Sequence, residues 1–195
     1  MSEFTNIAFS DTVKKVQSLM GTRTAMQKLA DRSKKNDCLS DEQVNFVRER
    51  TSFYIATANA TGQPYIQHRG GEAGFVRVIN TTTLMISDLP GNGQFITQGN
   101  LDENPHAMIF LMDYANHRRL KIWGEAFISF DHNLNIMMNG SGDTAPYPTI
   151  VFKIKAWDEN CPKHIPRLFG EDVINTLETR IQDLEMGMLG LSETG

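Results

Sequence analysis

The chain has 195 residues, of which 40% are hydrophobic and 22% charged, a composition typical of a globular protein with a hydrophobic core. Its formal net charge of -4 disfavours general nucleic-acid binding, which needs an excess of lysine and arginine. Two cysteines are too few for a disulfide scaffold, and neither a secretory signal nor a run of ~20 apolar residues is visible. We therefore expect a cytoplasmic protein that binds neither nucleic acid nor membrane.

The first 50 residues carry helix signals. Ser10 precedes a short amphipathic stretch and can cap it. Ser40 begins the sequence SDEQ, a capping box in which Gln43 can return a hydrogen bond to the start of the helix. These signals predict a helical N-terminal segment over residues 1–50.

Strand signals replace them between residues 53 and 157. The predicted strands are FYIATAN (53–59), QPYIQHR (63–69), FVRVI (75–79), TLMISD (83–88), AMIFLMD (107–113), LKIWGEAFISF (120–130) and PTIVFKIKAW (148–157). The first six form three hairpins by their turn residues, and few parallel crossovers are possible. This pattern favours a closed antiparallel barrel over a doubly wound sheet, because closure removes exposed strand edges.

Two further helices are predicted outside the strands. One covers residues 93–103 and ends before Pro105, since a proline disfavours helical backbone in the residue that precedes it. The other covers residues 171–188, where apolar residues recur at steps of three and four. With no repeat or linker in the chain, we expect one domain over 1–195, with a barrel at 53–157 and a C-terminal helical segment at 160–189.

Cys161 and His164 are three residues apart, which leaves three interpretations. They are half of a zinc site, a cysteine–histidine nucleophile pair, or a turn begun by Pro162 that holds a buried thiol. No HxxxH or HxH pair accompanies them, and two further ligands with matching spacing are missing. We therefore expect no metal site.

Two glycine-containing segments and one basic strand have two interpretations: they bind a small anionic ligand, or they are ordinary loops and a solvated strand face. QHRGGEAGF (67–75) joins a histidine and an arginine to three glycines, and PGNG (90–93) precedes a predicted helix whose start can bind phosphate. Lys121 and Trp123 share one face of their strand, where a cation and an indole can stack on a planar ligand. The sequence has neither GxGxxG between strand and helix nor GxxxxGK[ST].

The order of these segments resembles the FMN-binding split-barrel proteins of the pyridoxamine 5′-phosphate oxidase-like family. The stretches that carry the resemblance are FYIATANATGQPYIQHRGGEAGFVRV, LMISDLPGNGQFITQGNLDENP, IFLMDYANHRRLKIWGEA and NCPKHIPRLF. The chain is most similar to the flavin-nucleotide-binding branch, in which RGG-x-x-GF, PGN and CPxHI recur. The resemblance implies a mainly β fold with flanking helices (α+β), an antiparallel split barrel.

The resemblance also implies a set of flavin contacts at the matching positions of this sequence. The strand after the first hairpin would contribute Gln67, His68, Arg69, Gly70 and Gly71. Ile86 and Ser87 would line the ribityl side, and Asn92, Gln94 and Asn100 would approach the phosphate. Lys121 and Trp123 would lie near the isoalloxazine, from the same or the second subunit. Cys161, Lys163 and His164 would close the edge of the site.

The activity implied is that of an FMN-dependent oxidoreductase, a homodimer with flavin at the subunit interface, acting with a small-molecule substrate or an electron donor such as NAD(P)H. A vitamin B6 oxidase is not expected, because Gln67 stands where that enzyme has a basic residue and the chain ends in a helix. Gly93 also replaces an arginine frequent in relatives. Two alternatives stay open: a non-catalytic flavin-binding redox or stress module, and a haem-binding split-barrel protein with a histidine ligand.

Overall fold

The computed structural model describes residues 3–32, 36–139, 147–159 and 162–192. The helices are α1 (Glu3–Ala8), α2 (Asp11–Leu19), α3 (Arg23–Arg32), α4 (Asp41–Arg48), α5 (Ile96–Glu103), α6 (His132–Asn139) and α7 (Glu171–Ser192). The strands are β1 (Ser52–Ala58), β2 (Pro64–Gly70), β3 (Val76–Asn80), β4 (Thr83–Ser87), β5 (His106–Asp113), β6 (Arg118–Ser129) and β7 (Thr149–Glu159). Each strand lies within two residues of its predicted bounds.

The strands form one sheet in the order β2-β1-β5-β6-β7-β4-β3. Its pairings are antiparallel: β1 with β2 and β5, β4 with β3 and β7, and β6 with β7. The predicted hairpins β1–β2, β3–β4 and β5–β6 are all neighbours in the sheet. An antiparallel sheet with flanking helices confirms the predicted α+β class.

The predicted closure of the barrel is wrong, because the sheet is open. Its edge strands are β2 and β3, which are not neighbours in the order of the described strands. Between these two strands in the sequence, the Phe75 ring stacks on the Phe53 ring, with 5.7 Å between the ring centroids. At the same edge, the side chain of Arg69 on β2 reaches Asp88, which follows β4. Side-chain contacts therefore bridge the gap where a closed barrel would have ladder hydrogen bonds.

One face of the sheet holds the hydrophobic core. In β1 and β5 every second residue is buried, which the alternation of side chains in a half-buried strand explains. Phe53, Ile55, Ile109 and Phe152 are among the fully buried side chains. The strand alternation read from the sequence thus identifies the core face correctly, including Leu120, Ile122 and Ala126 on β6.

The helix caps form where the sequence predicts them. The Ser10 hydroxyl accepts a hydrogen bond from the Val13 backbone N–H at the start of α2. At α4 the side chain of Gln43 accepts from the Ser40 backbone N–H at 3.3 Å and donates to Glu159 at 2.9 Å. The capping residue Gln43 therefore also fastens α4 to the end of β7. Helix α1 lies within the helical segment predicted over residues 1–50, whereas α6 is not predicted from the sequence.

The described residues group into two compact units. One contains the described parts of Met1–Met112 and Arg119–Cys161, with the sheet and its core. The other contains Asp113–Arg118 and the described part of Pro162–Gly195, which includes the 22-residue helix α7. Within the described chain, no helix combines the length and apolar character needed to cross a membrane. The single-domain boundaries expected from the sequence stay a prediction.

Candidate functional site

A cavity of about 420 Å³ opens at the edge of the sheet, beside β2. This volume lies within the range of small-molecule and cofactor sites, about 300–1,000 Å³. Its walls are β2, the loop 88–95, the start of α5, and Phe130 with Tyr147 and Pro148. The cavity is therefore large enough for a cofactor-sized ligand and combines polar with aromatic side chains.

The alternation of β2 decides which of its residues face the cavity. Tyr65, Gln67 and Arg69 line it, whereas Ile66 and His68 lie on the opposite face of the strand. The register places Gln67 beside the core residue Ile55, and His68 beside Tyr54. Two of the residues transferred from the family, Gln67 and Arg69, thus meet at the cavity, and His68 does not.

Arg69 is tied into a polar network at the cavity wall. Its Nη1 donates to Asp88 Oδ1 at 2.5 Å, and its Nη2 donates to Gln67 Oε1 at 3.0 Å. The Thr97 hydroxyl donates to the same Gln67 oxygen at 2.7 Å. Both charged side chains are largely buried, with 13% of Arg69 and 18% of Asp88 exposed. Arg69 Nε is buried without a hydrogen-bond partner, which leaves one donor of the guanidinium unused.

The loop 88–95 and the start of α5 add backbone donors. The first N–H groups of a helix have no partner inside the helix, and Phe95, the N-cap residue, supplies no side-chain cap to them. Phe95 itself has a left-handed backbone, with φ 50. In the loop, Asn92 Oδ1 accepts from the Gln94 backbone N–H at 3.3 Å. Asn92 and Gln94 line the cavity, as do Ile96, Thr97 and Gln98 of the first turn of α5.

Lys121 and Trp123 lie on the other face of the sheet. Lys121 lines a shallow apolar depression with Tyr54, Ile66 and Phe110. The Trp123 ring packs against Phe4 of α1, with 5.2 Å between the ring centroids. Within one chain, these two residues are therefore separated from the cavity by the sheet itself.

A carboxyl group with a shifted pKa accompanies Lys121. Asp158 pairs with Lys121 in the register of β6 and β7. Burial of the carboxyl raises the pKa of Asp158 above its ordinary value, and Glu159 adds to this, while Lys121 and Arg119 oppose it. The outer face thus combines apolar side chains with a lysine and a carboxyl group whose pKa is raised.

Gly71 is required by packing against a protein side chain. A Cβ at this position would lie 2.8 Å from Phe75 Cγ, closer than real contacts allow. At Gly70 an added Cβ would lie 3.4 Å from its nearest neighbours, His68 Cε1 and the Thr51 carbonyl oxygen. The structure thus gives Gly71 a role in holding the Phe75 ring, in addition to the flavin approach implied by the resemblance.

Three other predicted contacts lie away from the cavity wall. Ile86 is buried in the core, and Ser87 ends β4 opposite Thr149. Asn100 is buried on α5, where its Nδ2 donates to Thr57 Oγ1 at 2.9 Å. Asn100 therefore links α5 to β1, which fixes the helix whose start lines the cavity.

The last predicted group lies at the start of the second unit. Cys161 is outside the described residues. Lys163 and His164 are exposed and form a turn, in which the Ile165 backbone N–H donates to the Pro162 carbonyl at 3.4 Å and His164 has a left-handed φ of 66. Across the described residues, no cluster of three or more His, Cys, Asp or Glu side chains can hold a metal ion.

Several cavity residues are absent from the sequence prediction. They are Tyr65, Asp88, Phe95, Thr97, Phe130 and Tyr147. Tyr65 was accessible to sequence reasoning, because it alternates with Gln67 and Arg69 on one strand face. Asp88 and Phe130 were not, since they reach the cavity only after the strands have paired.

The fold and the cavity together define an α+β split-barrel protein with an open antiparallel sheet. Residues 39–161 match the family model of pyridoxamine 5′-phosphate oxidase. The chain therefore belongs to the pyridoxamine 5′-phosphate oxidase-like family, whose members are flavin-binding split-barrel proteins, and the resemblance read from the sequence is confirmed.

Two solved structures show the same fold. A candidate pyridoxamine 5′-phosphate oxidase of Lactobacillus delbrueckii is 16% identical, over 63% of this chain and 94% of its own, with a TM-score of 0.51. HupZ of Group A Streptococcus is 16% identical, over 67% of this chain and 100% of its own, with a TM-score of 0.52. Among curated proteins the sequence has no match.

Proposed function

We propose that the chain is an FMN-dependent oxidoreductase that binds the cofactor in the cavity beside β2. The observation that carries this proposal is the Arg69 guanidinium, a largely buried cation at the wall of a cofactor-sized cavity, whose Nε has no hydrogen-bond partner. A buried donor of this kind costs free energy unless a ligand accepts from it. An anion bound at the cavity wall would accept hydrogen bonds from the guanidinium and offset this cost.

The donor set fits a flavin nucleotide. Arg69 and the unpaired N–H groups at the start of α5 would hold the phosphate, since a phosphate accepts several hydrogen bonds and favours a helix N-terminus. Gln67 and Gln94 offer amide groups for the ribityl hydroxyls, and Phe130 and Tyr147 offer apolar surface for the ring. FMN, when bound, would supply the hydride or electron transfer. These side chains bind and orient it and exclude water.

The charge balance of the cavity limits how tightly a phosphate is held. Of the described residues that line the cavity, Arg69 and Asp88 are the charged ones, and they pair with each other. A phosphate monoester carries nearly two negative charges, so Asp88 opposes its binding. The backbone donors of the loop 88–95 and of α5 must compensate for this carboxylate.

The homodimer belongs to the same proposal. Lys121 and Trp123 lie on the face of the sheet opposite the cavity, so they reach a flavin only if a second chain presents them. The apolar depression around Lys121, with Ile66 62% exposed, is a surface that a second copy would cover. In this proposal the flavin binds at the subunit interface. The electron donor in this proposal is NAD(P)H or a small-molecule substrate.

The test is a flavin titration of the purified protein, followed by an assay of NAD(P)H oxidation. We expect flavin absorbance bands or quenching of added FMN fluorescence, with saturation at one FMN per chain. Arg69→Gln should weaken binding about 30-fold, the equivalent of ~2 kcal/mol for a lost charge-assisted hydrogen bond. Arg69→Gln combined with Asp88→Asn controls for the buried carboxylate that the single change leaves unpaired.

The outcomes separate the candidate functions. Bound FMN with steady NAD(P)H oxidation supports the oxidoreductase, and bound FMN without turnover supports a non-catalytic flavin module. Failure to bind FMN would remove both. The cavity does not favour the haem alternative, because none of the described residues that line it is a histidine.

A further inference from the structure

Helix α7 exposes a long apolar stripe. Over its described length, Ile174 is 42% exposed, Leu177 and Ile181 are each 54% exposed, and Leu184 is 56% exposed. A helix of 22 residues with this much exposed apolar surface is not stabilised by propensity alone, because most helical stability in proteins comes from packing of the apolar face. The stripe therefore requires a surface to cover it.

The spacing of the stripe identifies the kind of surface. Ile174, Leu177, Ile181 and Leu184 follow one another at steps of three, four and three, and in the sequence the same spacing continues to Met188 and Leu191. This is the a/d repeat of a coiled coil, with β-branched isoleucine at two a positions and leucine at the d positions. In parallel coiled coils, isoleucine at a with leucine at d favours two strands over three or four.

The charges beside the stripe favour a second copy in parallel orientation. In this register Arg180 occupies a g position and Glu185 the following e position. In a parallel pair, each Arg180 faces the partner's Glu185, which gives two ion pairs of opposite charge. In an antiparallel pair, e positions face e positions, so Glu178 would meet the partner's Glu185 and repel it. The chain thus carries complementary charges for itself in one orientation only.

We propose that α7 pairs in parallel with α7 of a second copy of this chain, as a short two-stranded coiled coil. This pairing is independent of the cavity and of any dimer contact through the sheet. It would hold two chains together through their C-terminal helices. A coiled coil of two or three heptads is weak when it is the only contact between two chains. It becomes strong when another interface already holds the chains together, because that interface raises the effective concentration of the two helices.

Disulfide trapping in the full-length protein tests the orientation. In a background with Cys38→Ser and Cys161→Ser, Leu177→Cys places a thiol at a d position, which faces its own copy in a parallel pair. Gln182→Cys, at an outward b position, is the matched control. We expect Leu177→Cys to form a covalent dimer at least about tenfold faster than the control, since a disulfide needs Cα atoms within ~7 Å. Equal rates would overturn the proposal.

Charge exchange tests the partner. Arg180→Glu should reduce trapping through Leu177→Cys about tenfold, because it sets two pairs of like charges against each other. Adding Glu185→Arg exchanges both charges within the same pairs and should restore the wild-type rate. A double variant that stays as slow as Arg180→Glu would show that Arg180 does not face the partner's Glu185. FMN titration of the same variants should be unchanged, so the outcome is separate from that of the cofactor proposal.

Discussion

The two faces of the sheet near β2 differ in what they offer a ligand. The cavity face has a buried ion pair, Arg69 with Asp88, next to the unpaired donors of α5. The outer face has an apolar depression with Lys121 at its edge and the aromatic pair of Trp123 with Phe4. The first presents polar groups to the cavity, and the second is an apolar surface that our proposal covers with a second chain. Residues that belong to one flavin site by family resemblance are thus divided between two faces of one chain.

Both faces depend on the geometry of the same strands. A substitution of Gly124 on β6 is the strongest test of this dependence. A Cβ at this position would meet the Lys153 carbonyl oxygen and lie 2.5 Å from Phe152 Cε1, both fixed parts of the core. We expect Gly124→Ala to lower the free energy of unfolding by more than ~3 kcal/mol, since backbone must move. Urea unfolding would measure this. Gly99→Ala, which meets nothing within 4 Å, should leave stability unchanged or slightly raised; equal losses in both variants would contradict the prediction.

The outer face should govern association without governing stability. Ile66→Arg replaces an exposed apolar side chain with a charged one, so it should reduce dimer formation through the sheet about tenfold or more. The free energy of unfolding should change by less than ~0.5 kcal/mol. Sedimentation at several concentrations measures the dimer. Thr61→Arg, in the exposed turn between β1 and β2, is the control. A dimer of unchanged strength would assign the outer face another role.

Asp88 should determine how the cavity discriminates between flavins. Asp88→Asn removes the carboxylate that neutralises Arg69 but keeps an acceptor for its N–H group, so FMN should bind about fivefold more tightly while riboflavin, which lacks the phosphate, should not. Parallel titrations with the two flavins measure the ratio. Asp158→Asn removes a carboxyl from the outer face and serves as the control. An equal gain for riboflavin would show that the phosphate does not lie near Arg69.

The smallest expected effect is the pH dependence of stability at Asp158. Because its pKa is raised in the folded chain, the folded state binds more protons than the unfolded state between the ordinary and the raised value. Stability therefore falls as pH rises through that interval and recovers in acid. Asp158→Asn should be slightly more stable than wild type near pH 7, and the difference should disappear at about pH 3. Urea midpoints at both pH values measure this difference, with Asp102→Asn at an exposed position as the control. An Asp158→Asn variant that is less stable than wild type near pH 7 would contradict the prediction.

The strands, the caps of α2 and α4, and the family could all be predicted from the amino-acid sequence. Period-two alternation and turn residues are local signals, so β1 to β7 could be located within two residues, and the buried face of β6 could be assigned. Ser10 and Gln43 act through hydrogen bonds to residues three positions away, which a sequence displays directly. The order of the motifs between residues 53 and 164 was enough to predict the family, because each motif lies on a strand, turn or helix whose type the sequence indicates.

The sequence could not predict whether the sheet closes or which of the predicted residues share a site, because both depend on long-range contacts. Closure depends on whether the edges β2 and β3 pair, a contact set by sheet curvature and by the Phe75 ring packed on Phe53. The pairing of Arg69 with Asp88 joins positions 19 residues apart, after a turn and two strands have placed them together. Lys121 lies on the face of the sheet opposite the cavity, because a strand residue reaches only the face that its register assigns. Sequence patterns specify the face of each strand, but the folding of the sheet specifies which faces meet.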